Sequence, residues 1–156
     1  MIKVANLARI ITSLLLIIVL GFVYANLPEM VGLHFNDEAK PDYMIEKSYF
    51  FYFTILIFLA FNLLNTIFVK VFEQIPISST RMFFTNARFK SDFTSWISSF
   101  SPVINLFLIF VISFIGIYNS GDVALINSYS YLAYFGQFLV LAWLVMLIFI
   151  LLNRNK

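Results

Sequence analysis

Four uninterrupted apolar runs limit what this chain can fold into more than any other feature. They extend from about Ile10 to Asn26, Tyr49 to Val69, Ile97 to Tyr118 and Tyr131 to Leu152, and no Asp, Glu, Lys, Arg or His interrupts them. Each run approaches the roughly 20 residues that a helix rising about 1.5 Å per residue needs to cross about 30 Å of hydrocarbon. They are continuous and rich in Leu, Ile and Phe, without the period-two alternation of a membrane barrel. At 62% hydrophobic and 12% charged, the chain departs from the soluble range of about half and a quarter and would not stay dissolved as a monomer. Its 156 residues contain no repeat or low-complexity tract. The expectation is an all-α membrane protein, one integral domain over residues 1–156, with four transmembrane helices in a bundle and a short structured outer loop after the first.

The basic residues set an orientation. Eight of the ten lie on one side of the runs: Lys3, Arg9, Lys70, Arg81, Arg88, Lys90, Arg154 and Lys156. Only Lys40 and Lys47 fall on the other, so the positive-inside rule places both termini in the cytoplasm. Glu29, Asp37, Glu38, Asp42, Glu46 and Asp122 then all lie outside. A rival reading takes Lys3, Arg9, the first run and the small-residue end "VYAN" as a secretory signal cut after Ala25. Four retained spans explain the charge pattern without cleavage, and retention is the reading we adopt.

Within the runs, the chemistry available is that of amides. Asn62 and Asn65, at i and i+3, share a face of the second helix with Thr66, and Asn105 and Gln137 lie in the third and fourth runs. An amide facing lipid costs several kcal/mol, so all four are expected to point into the bundle and bond one another or a carbonyl. A polar pathway is the functional alternative, but a proton or ion relay needs ionisable groups that the runs lack.

Between the second and third runs, residues Phe72 to Thr94 mix Arg81, Arg88 and Lys90 with Met82, Phe83, Phe84 and Phe89, a pattern that suits a segment lying against anionic headgroups. RNA stacking uses the same residue types, but no nucleic-acid motif surrounds them. Ser91 or Asp92 is a candidate helix cap, Trp96 a headgroup-level anchor, and Pro102 a kink near the start of the third span.

The long polar interval, "LPEMVGLHFNDEAKPDYMIEK" from Leu27 to Lys47, carries the sole histidine. Val31, Leu33 and Phe35 alternate with Gly32 and His34 as in a short strand, and Asn36, Asp37, Pro41 and Asp42 form a turn. We expect Pro28, Val31, Leu33 and Phe35 to rest on the outer helix ends. His34 with Asp37, Glu38 or Asp42 is a possible nitrogen and oxygen donor set for zinc, a weak signal with no second imidazole. No nucleophile elbow accompanies His34, and the chain has no cysteine, so neither a catalytic site nor a cofactor is expected.

The order Leu27-Pro28, Val31, His34-Phe35-Asn36, Pro41-Asp42 and Lys47 resembles a bacterial membrane domain of unknown function shared with SdpI-type immunity proteins. Its hallmark is an LP-x-x-(V/I)-P-x-H-(W/F)-(N/D) stretch, then a glycine, a Pro-Asp or similar pair and a lysine. Gly32 stands here where that family has proline, and Ala39 or Lys40 where it has glycine. The likeness covers roughly Ile10 to Val69 and implies a multi-span plasma-membrane protein without a defined reaction. Two function classes follow. One is a non-enzymatic binding, accessory or immunity-like protein in contact with the bilayer and with a protein partner or a second copy, and not with nucleic acid. The other is a small transporter or an outer-face metal-dependent membrane enzyme. The first needs no ionisable groups in the spans, and it is the reading adopted here.

Overall fold

The computed structural model describes residues 2–36, 40–77, 83–129 and 131–154. Helix α1 runs over Ile2–Asn26, strands β1 and β2 over Met30–Phe35 and Pro41–Glu46, α2 over Lys47–Gln74, α3 over Ala87–Ser98, α4 over Phe100–Asn119, α5 over Val123–Tyr129 and α6 over Leu132–Leu152. Four stretches, Lys3–Asn26, Lys47–Gln74, Ala87–Asn119 and Val123–Leu152, are helical, long and apolar enough to cross a bilayer, as in a multi-pass membrane protein. The fold is therefore mostly helical, but the expected all-α architecture is corrected by a two-stranded sheet between α1 and α2.

Helix α4 is the centre of the assembly, with α1 and α6 packed along it and α2 touching it less extensively. On α1, Leu16, Leu20 and Val23 recur at helical spacing and, with Leu27 just beyond the helix, are buried against Leu108, Ile112 and Ile115 of α4. Ile17, Ile18 and Phe22 on the same helix face outward. An exposed apolar face is at ease in lipid, whose tails are as apolar as Leu, so helix association here depends on close packing and on polar contacts. One such close approach is at Gly136, buried on α6, where a Cβ would stand 2.8 Å from the Phe107 ring of α4.

The third span is not one helix. A break at Ser99 separates α3 from α4, three residues before Pro102, whose ring and missing N–H disturb the turn around Ser98. The side chain that caps this segment is Asn86, whose Oδ1 accepts from Phe89 N at 2.7 Å, so the helix starts a turn earlier than a Ser91 or Asp92 cap implied. Trp96 also has a partner inside the protein. It stacks on Trp143, near the middle of α6, at 4.0 Å and 13°, and each indole N–H donates to the other residue's carbonyl, at 2.9 and 3.2 Å. Trp143 Nε1 also donates to Ser99 Oγ at the break.

At the end carrying both termini, Phe84, Phe89, Phe93 and Ile97 form a second buried cluster with Phe72 and Trp96. Phe84, Phe89 and Phe93 are thus turned into the protein, while Phe83 stays exposed. Two cations serve the same packing: Lys90 Nζ donates to Glu73 O and Ile75 O at the end of α2, and the guanidinium of Arg154, beyond α6, lies over the Phe83 and Phe89 rings. Arg81 and Met82 lie outside the described residues.

Candidate functional site

The two strands form an antiparallel hairpin over the helix ends, with Met30 opposite Glu46, Val31 opposite Ile45 and Gly32 opposite Met44. Two irregularities, at Gly32/His34 and His34/Phe35, bend it before the turn. Asn36 closes the turn from both sides, its N–H donating to Lys40 O and its Oδ1 accepting from Lys40 N. Asp37 and Glu38 lie outside the described residues, so the metal reading keeps His34 and Asp42 as its described donors. Those two meet: His34 Nδ1 and Asp42 Oδ1 are 2.6 Å apart, with the side chains 72% and 49% exposed. Among the described residues no group of three His, Asp or Glu side chains gathers.

The hairpin's underside is locked. Val31 and Leu27 are buried in the α1–α4 core, and Leu33 packs against it. Phe35 is half-buried, its ring 5.0 Å from that of Tyr118 on α4. Pro28, by contrast, is exposed, which corrects its expected place on the helix ends. Lys47, at the first turn of α2, ties the base together: its Nζ donates to Leu27 O at 2.8 Å and lies 4.8 Å from the Tyr24 ring, while its N–H donates to Glu29 O.

Asn119, the last residue of α4, supplies a contact that sequence reasoning missed. Its Oδ1 accepts from Gly32 N at 2.7 Å and its Nδ2 donates to Gly32 O at 2.9 Å, so one side-chain amide pairs with β1 much as a neighbouring strand does. The hairpin itself requires glycine at position 32. A Cβ there would stand 2.7 Å from Pro41 Cβ and 3.0 Å from the Phe35 ring, and a proline would remove the N–H that Asn119 accepts.

The helix amides form a separate network in the half of the bundle away from the hairpin. Asn62 Nδ2 donates to Asn105 Oδ1 at 2.9 Å, and Asn105 Nδ2 donates to Thr12 Oγ1 and Ser13 Oγ, joining α2, α4 and α1. Asn65 Nδ2 donates to Ser101 Oγ at 2.7 Å. Gln137 does not join them. It is exposed on α6 with no hydrogen-bond partner among the described residues, which corrects the expectation that it points inward. Arg9, expected ahead of the first span, lies inside α1, and its Nη1 donates to Thr66 Oγ1 at 3.1 Å. Asn62 and Asn65 were legible from spacing. Their partners Thr12, Ser13 and Ser101 were not, since Ser and Thr are unremarkable in membrane helices.

Packing outweighs charge in this hairpin. Burying a large apolar side chain contributes about 1.5–3 kcal/mol, whereas an exposed ion pair rarely exceeds about 1. Phe35→Ala is therefore expected to lower the melting temperature in detergent more than His34→Ala. The reverse order, with zinc stabilising the wild type and not the His34 variant, would identify the His34–Asp42 pair as part of a metal site. No protein-family model, curated protein or solved structure matches the chain.

Proposed function

We propose that this chain is a non-enzymatic binding or accessory protein of the bacterial plasma membrane, with both termini cytoplasmic and the hairpin outside, where it receives a protein partner. The excess of Lys and Arg at the end opposite the hairpin supports the orientation. The likeness of the Leu27–Lys47 interval to the immunity-type domain supports the role.

The observation that carries this reading is the unequal treatment of the two strand edges. Asn119 occupies the free edge of β1. The main neighbours of β2 are β1 and the start of α2, and five of its six residues are exposed, including Tyr43 and Met44. Lys47 N bonds Glu29 O across the ladder, so alternation turns the Ile45 N–H toward β1 and those of Met44 and Glu46 away from it. An extended segment of a partner gains backbone hydrogen bonds by lying along that edge, with Tyr43 and Met44 as side-chain contacts. Proteins normally blunt such an edge with proline and charge, and here Pro41, Asp42 and Glu46 do so at its two ends, which leaves Tyr43 and Met44 open between them.

A photo-crosslinking residue at position 43, in cells, tests the proposal. A discrete adduct with another protein is expected, and Met44→Pro should abolish it without lowering the melting temperature, because proline is tolerated where a strand N–H points to solvent. An unchanged adduct in the proline variant, or none in the wild type, overturns the reading.

A further inference from the structure

We infer that the cleft between α1 and α2, at the end away from the hairpin, binds the phosphate of an anionic phospholipid. The cleft has a volume of about 460 Å³, and its walls include Arg9, Ser13, Asn62 and Thr66 beside Leu14 and Leu59. A guanidinium carries five N–H donors, and Arg9 spends one on Thr66. No carboxylate of the described residues is within ion-pair range of it. Ser13 Oγ accepts from Asn105, which leaves its own proton free to be donated. Asn62 and Thr66 are already committed, to Phe58 O and Asn105 and to the Asn62 carbonyl, so they shape the cleft and hold Arg9 in it.

Depth selects the ligand. Arg9 lies 17 residues before the end of α1 and Thr66 19 residues after the start of α2, about 26 and 29 Å from the hairpin ends of the helices at about 1.5 Å per residue. That is the far boundary of a hydrocarbon layer about 30 Å thick, where lipid phosphates lie. A guanidinium there with unspent donors is costly unless paired, and phosphate takes two of its N–H groups in parallel. Lys70, exposed one turn beyond the half-buried Thr66 on α2, supplies a second cation on the headgroup side. The side chains of Leu14, Leu59 and Leu63 are exposed and continue toward the hairpin, an apolar track for an acyl chain. A soluble anion would have no use for that track.

The test is native mass spectrometry of the full chain in detergent, offered phosphatidylglycerol and phosphatidylcholine with the same acyl chains. Wild type should retain phosphatidylglycerol preferentially, each basic group near the headgroup contributing about fivefold. Arg9→Gln should lose that factor and Arg9→Lys keep most of it. Lys70→Gln should lower retention with no change in the melting temperature of the lipid-free protein, so the proposal stays testable if the Arg9 variant misfolds. Excess inorganic phosphate should leave lipid retention unchanged. Displacement by phosphate would mean a free-anion site, and unchanged retention in both the Arg9→Gln and Lys70→Gln variants, or in Lys70→Gln alone if Arg9→Gln does not fold, would mean no phosphate site at all. Either result overturns the assignment.

Discussion

Asn105→Leu is expected to lower stability toward denaturing detergent by about 2 kcal/mol, taking roughly 0.6 for each of three interhelical bonds, with individual bonds reaching about 1.7. Asn105 is fully buried and joins three helices through Asn62, Thr12 and Ser13. Leu has the same branching and number of side-chain heavy atoms, so the change removes polarity without opening a cavity. The loss is limited because the partners keep other bonds: Asn62 Nδ2 still donates to Phe58 O, and Thr12 Oγ1 to Ala8 O. Gln137→Leu is the matched control. That side chain faces outward with no partner among the described residues, so the same substitution there should be neutral or stabilising. Equal unfolding curves for Asn105→Leu and wild type would show that the network does not hold the helices together.

Gly136→Leu should be more damaging, at roughly 3 kcal/mol or above, because it acts on backbone separation. A Cβ at this position would meet the Phe107 ring at 2.8 Å and the Phe107 carbonyl oxygen at 3.5 Å. The ring can shift, so Gly136→Ala should cost less. The three further carbons of Leu reach the α4 backbone, and relief requires α6 to move off its main partner. Lipid offers no hydrophobic penalty for that separation, so the close fit itself is what keeps α6 in place. A leucine variant that melts with the wild type would show that α4 and α6 are farther apart than described.

The spans were legible because the bilayer admits so few solutions for a backbone without water. Their ends were less so. Apolarity stops near Ile10 and Val69, but helical propensity continues through Lys3 to Arg9 and Lys70 to Gln74, and the helices continue with it. Pro102 announced a disturbed third span, although hydropathy could not tell a gentle kink from the break at Ser99. Gln137 was misplaced because α6 is apolar around its whole circumference, which leaves no stripe from which to read an inward face. In the hairpin, alternation revealed Val31, Leu33 and Phe35 as the packing side. The tie between Gly32 and Asn119 spans 87 residues of chain, and no local pattern encodes it.

The reciprocal clasp of Trp96 and Trp143 also gives the protein an optical property. These are the only two tryptophans in the chain, and their rings are nearly parallel at 4.0 Å. Indole transitions that close interact, so the near-ultraviolet circular dichroism of the intact protein is expected to carry a signature of this one pair, undiluted by other indoles. Parting α6 from the break at Ser99 is expected to remove that near-ultraviolet signature while the helices themselves persist. The chain therefore carries its own gauge of whether its last helix is docked, readable in any membrane mimic without a label.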